Sequence, residues 1–161
     1  MMRGVIAVND EQRSRMVAKI ARSVDRDLAG PRPLDGISIG ALGLTFKAGT
    51  DDLRESPSLA ILSTLQEAGA MITAYDPTAA GDLDHVQQHR LEGLRLVTTA
   101  QEVAHEADAL VILTEWPEFA ALDLDAVAAA MRGTSIVDTR NILDPASVRA
   151  AGLVYDGVGR S

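Results

Sequence analysis

The sequence predicts an α/β fold: a doubly wound, mostly parallel sheet of about six strands, preceded by an N-terminal helix. Three observations predict it. From residue 34 onward, short apolar runs alternate with segments of helical periodicity, the pattern of strands covered on both faces by helices. Hydrophobic residues make up 47% of the 161 and aromatic ones only 3%, so the core must be built from Ala, Val, Leu and Ile, which suits buried strands better than an aromatic-rich sandwich. Gly30-Pro31, Gly69, Asp76-Pro77 and Gly133 punctuate the segments, as turns between elements require.

Taken in order, residues 9–29 read as a helix, with Asn9 or Asp10 as its cap and Met16, Val17, Ile20, Ala21 and Val24 as its apolar stripe. Gly30, Pro31 and Pro33 stop it, and the punctuation divides the chain into a helix and linker at 1–33 and a domain at 34–161. The helix is either the end of a longer element or a packed part of this domain. Strands are expected at Ile37–Leu42, Met71–Tyr75, Leu94–Thr98, Ala109–Thr114 and Ser135–Asp138, with a sixth starting at Val154–Tyr155. Helices are expected at Ser58–Glu67, Gln101–Glu106, Leu124–Met131 and Ala146–Ala150. Residues 78–93 are polar and weakly periodic and read as a loop with a turn or two of helix.

The formal net charge of -8 argues against nucleic acid as a partner. The chain has no cysteine, which removes disulfides, thiolate metal sites and thiol nucleophiles together. No apolar run approaches the roughly 20 residues of a membrane span, and no signal-peptide pattern opens the chain, so a cytoplasmic protein without membrane attachment is expected. His85, His89 and His105 do not form a metal-ligand pattern.

In parallel sheets ligands bind at the carboxyl ends of the strands, so the loops there hold the candidate site. After the first strand, Gly40 and Gly43 suit a tight turn, but the dinucleotide fingerprint G-x-G-x-x-G is absent, with Phe46 where its third glycine would stand. Asp76, ending the second strand, occupies the place of a ribose-binding acid. The loop carries Lys47, Arg54 and Thr50-Asp51-Asp52, then Ser56-Pro57 as an N-cap and N1 pair. Lysine offers a point charge to phosphate and arginine a planar fork. Two readings stay open: an anion-binding loop, or a solvated one in which the acids pair with Lys47 and Arg54. Trp116, the sole tryptophan, either flanks a planar base or covers the sheet edge. Arg140 and Asn141 follow the fifth strand, placed for an anion, unless Arg140 simply pairs with Asp138.

Together these segments resemble the C-terminal, UDP-binding domain of the UDP-glucose/GDP-mannose dehydrogenase family, in the style of the bacterial UDP-glucose 6-dehydrogenases. VNDEQR (8–13), GLTFKAGTDDLRESPSLAIL (43–62), EAGAMITAYDP (67–77), ADALVILTEWPEF (107–119), VDTRNILD (137–144) and YDGVGR (155–160) occur in family order over nearly the whole chain. The resemblance implies a Rossmann-like domain that holds a UDP-sugar or related nucleotide sugar. Phe46 and Lys47 would touch it, Arg140 and Asn141 would help hold it, and Arg54 would reach toward NAD on another domain. Family enzymes use NAD to oxidise the sugar C6 alcohol to a carboxylate through a cysteine adduct, in the service of polysaccharide biosynthesis. The NAD-binding domain and the cysteine are not among these residues, so the isolated chain is expected to be inactive, with no catalytic residue of its own. The long central helix of the family implies self-association through residues 9–29. A nonenzymatic interaction module and a stand-alone nucleotide-binding Rossmann-like protein are the alternatives.

Overall fold

The computed structural model describes residues 2–45, 48, 49, 53, 54, 56–79 and 85–159. A six-stranded, all-parallel sheet runs through it in the order β3-β2-β1-β4-β5-β6. Its strands are β1 (Ser38–Leu42), β2 (Met71–Tyr75), β3 (Arg95–Leu96), β4 (Ala109–Ile112), β5 (Ser135–Asp138) and β6 (Val154–Gly157). The helices are α1 (Met2–Ser23), α2 (Pro57–Glu67), α3 (His85–Arg90), α4 (Pro117–Ala120), α5 (Leu124–Ala130) and α6 (Pro145–Ala150), with a 3-10 helix at Ala100–Ala104. This is the doubly wound order, in which the chain reverses direction across the sheet between β1 and β4 and leaves a crevice at their carboxyl ends.

The alternation of side chains along each strand sorts the core into two layers. Ile39 and Ala41, Ile72 and Ala74, Ala109 and Val111, and Val137 face α1 and α2, where they meet Val17, Ile20, Ala21, Ile61, Leu62 and Leu65. Leu42, Leu110, Ile112, Ile136 and Tyr155 face the opposite way, onto Val103, Phe119, Val127 and Val148. Burying each of the larger side chains contributes about 1.5–3 kcal/mol, so the second half of α1 is part of this core. Its other ties to the sheet are polar: Lys19 Nζ pairs with Asp156 of β6 at 2.9 Å, and Ser135 Oγ donates to the Ser23 carbonyl at 2.8 Å.

The boundaries of α1 differ from those the sequence suggests. Asp10 lies inside the helix, paired with Arg13 at 3.2 Å, and does not cap it. The helix stops at Ser23, well before Gly30. Asp25 adopts φ 58°, its N–H donates to the Arg22 carbonyl at 3.0 Å, and the Arg26 N–H donates to the Ala21 carbonyl at 3.0 Å. That is a Schellman termination with aspartate in the left-handed position usually given to glycine. Where an α-helix is expected at Gln101–Glu106, Ala100–Ala104 forms a 3-10 helix, capped by Thr99, whose hydroxyl accepts from the Glu102 N–H. The close approach of this helix to β1 explains Gly40: a Cβ there would lie 2.3 Å from the Val103 carbonyl oxygen.

At the amino ends of the strands, Asp108 joins three segments. It accepts from the Ser38 N–H at 2.8 Å and from Arg132 Nε and Nη2 at 2.8 and 2.6 Å. The Arg132 hydrogen bonds hold its carboxyl below the ordinary aspartate range, against the opposing effect of burial, with the Ser38 N–H adding to the lowering. A depressed folded pKa means that this stabilisation is complete above the unfolded carboxylate range and is lost as pH falls through the folded value. Asp108→Asn is therefore expected to lower the urea midpoint at pH 7, and the gap from the parent chain should close below about pH 4. A gap that stayed constant from pH 7 to pH 3 would show that the charge of Asp108 does not matter.

Candidate functional site

Three loops meet at the carboxyl ends of β1, β4 and β5. The first begins at Gly43, whose N–H donates to the Tyr75 carbonyl at 2.9 Å. Gly43 sits at φ 100°, and a Cβ on it would lie 2.4 Å from both Cβ and Oγ1 of Thr114. The β1 and β4 loops are thus in direct contact, and Thr114 Oγ1 donates across the seam to the Thr45 carbonyl at 3.3 Å. Ser56, at the far end of the same loop, donates its hydroxyl to the Leu44 carbonyl at 2.6 Å. It precedes Pro57 at the start of α2 as expected, but its side chain closes the loop and does not cap the helix. Leu53, buried, anchors the loop from within, and Arg54 beside it is exposed. Phe46 and Lys47 lie outside the described residues, as do Thr50, Asp51 and Asp52.

Arg140 stands on the β5 loop and reaches β4. Its Nε donates to the Leu113 carbonyl at 3.0 Å and lies 3.2 Å from Glu115 Oε2. The terminal guanidinium nitrogens make no hydrogen bond among the described residues. An arginine held by Nε presents the planar fork that suits a phosphate or carboxylate. Its backbone N–H, not its guanidinium, goes to Asp138 Oδ1, at 3.1 Å. The surface pair between Asp138 and Arg140 is therefore not formed. Asp138 is fully buried and uses Oδ2 to accept from the Leu143 N–H at 2.9 Å and the Tyr155 hydroxyl at 3.0 Å. Asn141, at φ 54°, makes a reciprocal pair with Val158: its amide nitrogen donates to the Val158 carbonyl and its oxygen accepts from the Val158 N–H, both at 2.9 Å.

Asp76 has the place of a ribose-binding acid but not the bonding of one. It is 1% exposed and accepts from the loop before Lys47 and from Thr78. Trp116 covers this end of the sheet, its indole Nε1 donating to Asp76 Oδ2 at 3.3 Å. Beside it, Tyr75 donates its hydroxyl to Glu118 at 3.2 Å; burial first, and the Glu118 charge second, hold that phenol above its ordinary pKa. The short helix α4 that carries Glu118 is absent from the elements expected of the sequence, although it starts at Pro117 and proline favours the first helical turn. Nor does the sequence mark the two buried aspartates as loop organisers, because a carboxylate at a strand end looks the same in sequence whether it points in or out. A cavity of about 360 Å³ lined by Thr73, Arg95, Gln101, Glu102 and His105 lies against the 3-10 helix and β3, with no lining residue from the loops after β1, β4 and β5.

The order of the sheet defines a Rossmann-like α/β domain, with Arg140 on a loop at its crevice. Residues 40–145 match the UDP-glucose/GDP-mannose dehydrogenase family, UDP binding domain, and the chain belongs to that family. It is 41% identical to the UDP-glucose 6-dehydrogenase of Rhizobium meliloti (strain 1021), over 96% of this chain and 33% of the relative. It is 34% identical to UDP-glucose 6-dehydrogenase TuaD of Bacillus subtilis (strain 168), over 99% of this chain and 32% of that one. Among solved structures, a UDP-glucose dehydrogenase from the hyperthermophilic archaeon Pyrobaculum islandicum aligns with TM-score 0.67 and 28% identity, covering 94% of this chain and 30% of that chain. The chain spans about a third of the length of the curated relatives it matches. Among the described residues no helix is long and apolar enough to cross a membrane.

Proposed function

We propose that this domain holds the diphosphate of a UDP-sugar for an NAD-dependent dehydrogenase of the UDP-glucose 6-dehydrogenase type, which oxidises the sugar C6 alcohol to a carboxylate. The observation that carries the proposal is Arg140, whose Nε is fixed on the β4 end while its terminal nitrogens make no hydrogen bond among the described residues. Lys47 and Phe46 are assigned to the same ligand from the opposite loop. Asn141 supports the rim through its pairing with Val158. Arg54 is assigned to NAD bound on a separate domain.

The residues present do not fit NAD. Asp76 is spent on internal donors, and the approach a pyrophosphate would need at Gly43 is filled by Thr114. The chain also has no cysteine for a thiol adduct. In this reading residues 1–33 are the helix and linker that join the domain to its NAD-binding partner, and the helix is a route to self-association. The proposal places the protein in the cytoplasm, where nucleotide sugars for polysaccharide synthesis are made.

Calorimetry of this chain with UDP and with NAD tests the assignment. UDP should bind and NAD should not at the same concentration. Lys47→Ala should weaken UDP by about tenfold, the worth of one charge-assisted contact, and the loss should diminish as salt is raised. Tight NAD binding, or no UDP binding at millimolar concentration, would overturn the reading.

A further inference from the structure

We propose that Asp76 is the positioning residue of the diphosphate-binding loop, and that Trp116 is the clasp that keeps Asp76 in that role. The proposal rests on the sugar-nucleotide reading above. Asp76 directly follows β2, where the acid of a dinucleotide-binding sheet faces outward to a ribose. Here it faces inward. Its Oδ2 accepts from the Leu44 N–H at 2.8 Å, the Thr45 N–H at 3.2 Å and the Thr45 hydroxyl at 3.2 Å. The Trp116 indole N–H reaches the same oxygen at 3.3 Å. Its Oδ1 accepts from the Thr78 N–H at 2.9 Å and hydroxyl at 2.7 Å. A carboxylate offers about four lone-pair positions, so this one has none to spare for a ligand.

Leu44 and Thr45 immediately precede Phe46 and Lys47. Their carbonyls are fixed too: that of Thr45 by Thr114 Oγ1, and that of Leu44 by Ser56 Oγ. Both faces of the two peptides entering the loop are therefore tied, the N–H side by the buried carboxylate and the carbonyl side by hydroxyls. Fixing these two peptides before binding spares the ligand the entropy of ordering them. Trp116 comes from the β4 loop, so its bond to Asp76 also ties the β2 end to the β4 end, across the crevice floor.

The experiment measures UDP affinity and amide hydrogen exchange in the full chain and in Asp76→Asn and Trp116→Phe. Asp76→Asn places an NH₂ among donors and should weaken UDP at least tenfold. The Leu44 and Thr45 amides should exchange at least tenfold faster, while the β1 and β4 amides keep their protection. Trp116→Phe, which removes one donor and keeps an aromatic ring, should give about threefold changes in both readouts. Unchanged UDP affinity in both variants would overturn the proposal, as would exchange rising evenly across the sheet, the sign of a merely structural role. Should Asp76→Asn fail to fold, Trp116→Phe decides alone: parent-like affinity and parent-like Leu44 and Thr45 exchange reject the clasp. Failure of the parent chain to bind UDP removes the functional reading and this proposal together, whereas normal parent binding with indifferent variants removes this proposal only.

Discussion

Arg140→Ala is expected to weaken UDP binding by about 10- to 100-fold while leaving the unfolding midpoint nearly unchanged. A hydrogen bond from a charged donor is worth about 1.5–3 kcal/mol, and each 1.4 kcal/mol is about tenfold in affinity. The side chain is partly exposed and its loop is shaped by the backbone N–H to Asp138, which alanine keeps. Arg140→Lys should restore only part of the loss. It keeps the charge but has neither the Nε anchor to Leu113 nor the planar fork. Glu115 provides the complementary arm. Its carboxylate lies 3.2 Å from Arg140 Nε and competes with an incoming anion, so Glu115→Gln should tighten UDP severalfold at low salt. Isothermal calorimetry of the three variants at two salt concentrations checks all of this. Parent-like affinity in Arg140→Ala would remove the arginine from the site.

The strands are legible in the sequence because their cause is local. β2 and β5 have the expected bounds, since an apolar run closed by Asp76-Pro77 or by Asp138 leaves little choice of where to stop. The end of α1 is not legible. Gly30 is the stronger stop signal by composition, but Asp25 takes the left-handed position, and its N–H and that of Arg26 satisfy the carbonyls of Arg22 and Ala21. For the site, the sequence indicates which residues carry charge at the strand ends but not how they are held. The pairing of Arg140 with Leu113 and Glu115 joins residues 25 or more apart. The inward turn of Asp76 depends on donors from residues 44, 45 and 116, which no periodicity brings together. The same holds for Asp138, which collects the Arg140, Leu143 and Tyr155 donors. Each buried aspartate thus gathers backbone N–H groups from the residues that follow a strand end, a role that a list of charged positions does not express.

Gly43→Ala should be the most disruptive single change at the rim, costing roughly 2–5 kcal/mol, a large share of the ~5–15 kcal/mol stability of a domain. Two costs add. At φ 100° an L-residue is strained by about 1–2 kcal/mol. The new methyl would also sit 2.4 Å from Thr114 Cβ and Oγ1 and 2.7 Å from the Thr114 backbone nitrogen, an overpacking worth about 1–3 kcal/mol. Relief by backbone movement is blocked, because the Gly43 N–H is bonded to Tyr75 and the Leu113 N–H to Leu42. Gly49 isolates the steric part. It has φ 82°, but no atom lies within 4 Å of the point a Cβ would occupy, so Gly49→Ala should cost only about 1–2 kcal/mol. Urea denaturation of the two variants measures the difference directly. Equal midpoints would mean that β4 can retreat from Gly43, and that the contact between the β1 and β4 loops is not the rigid floor on which the crevice depends.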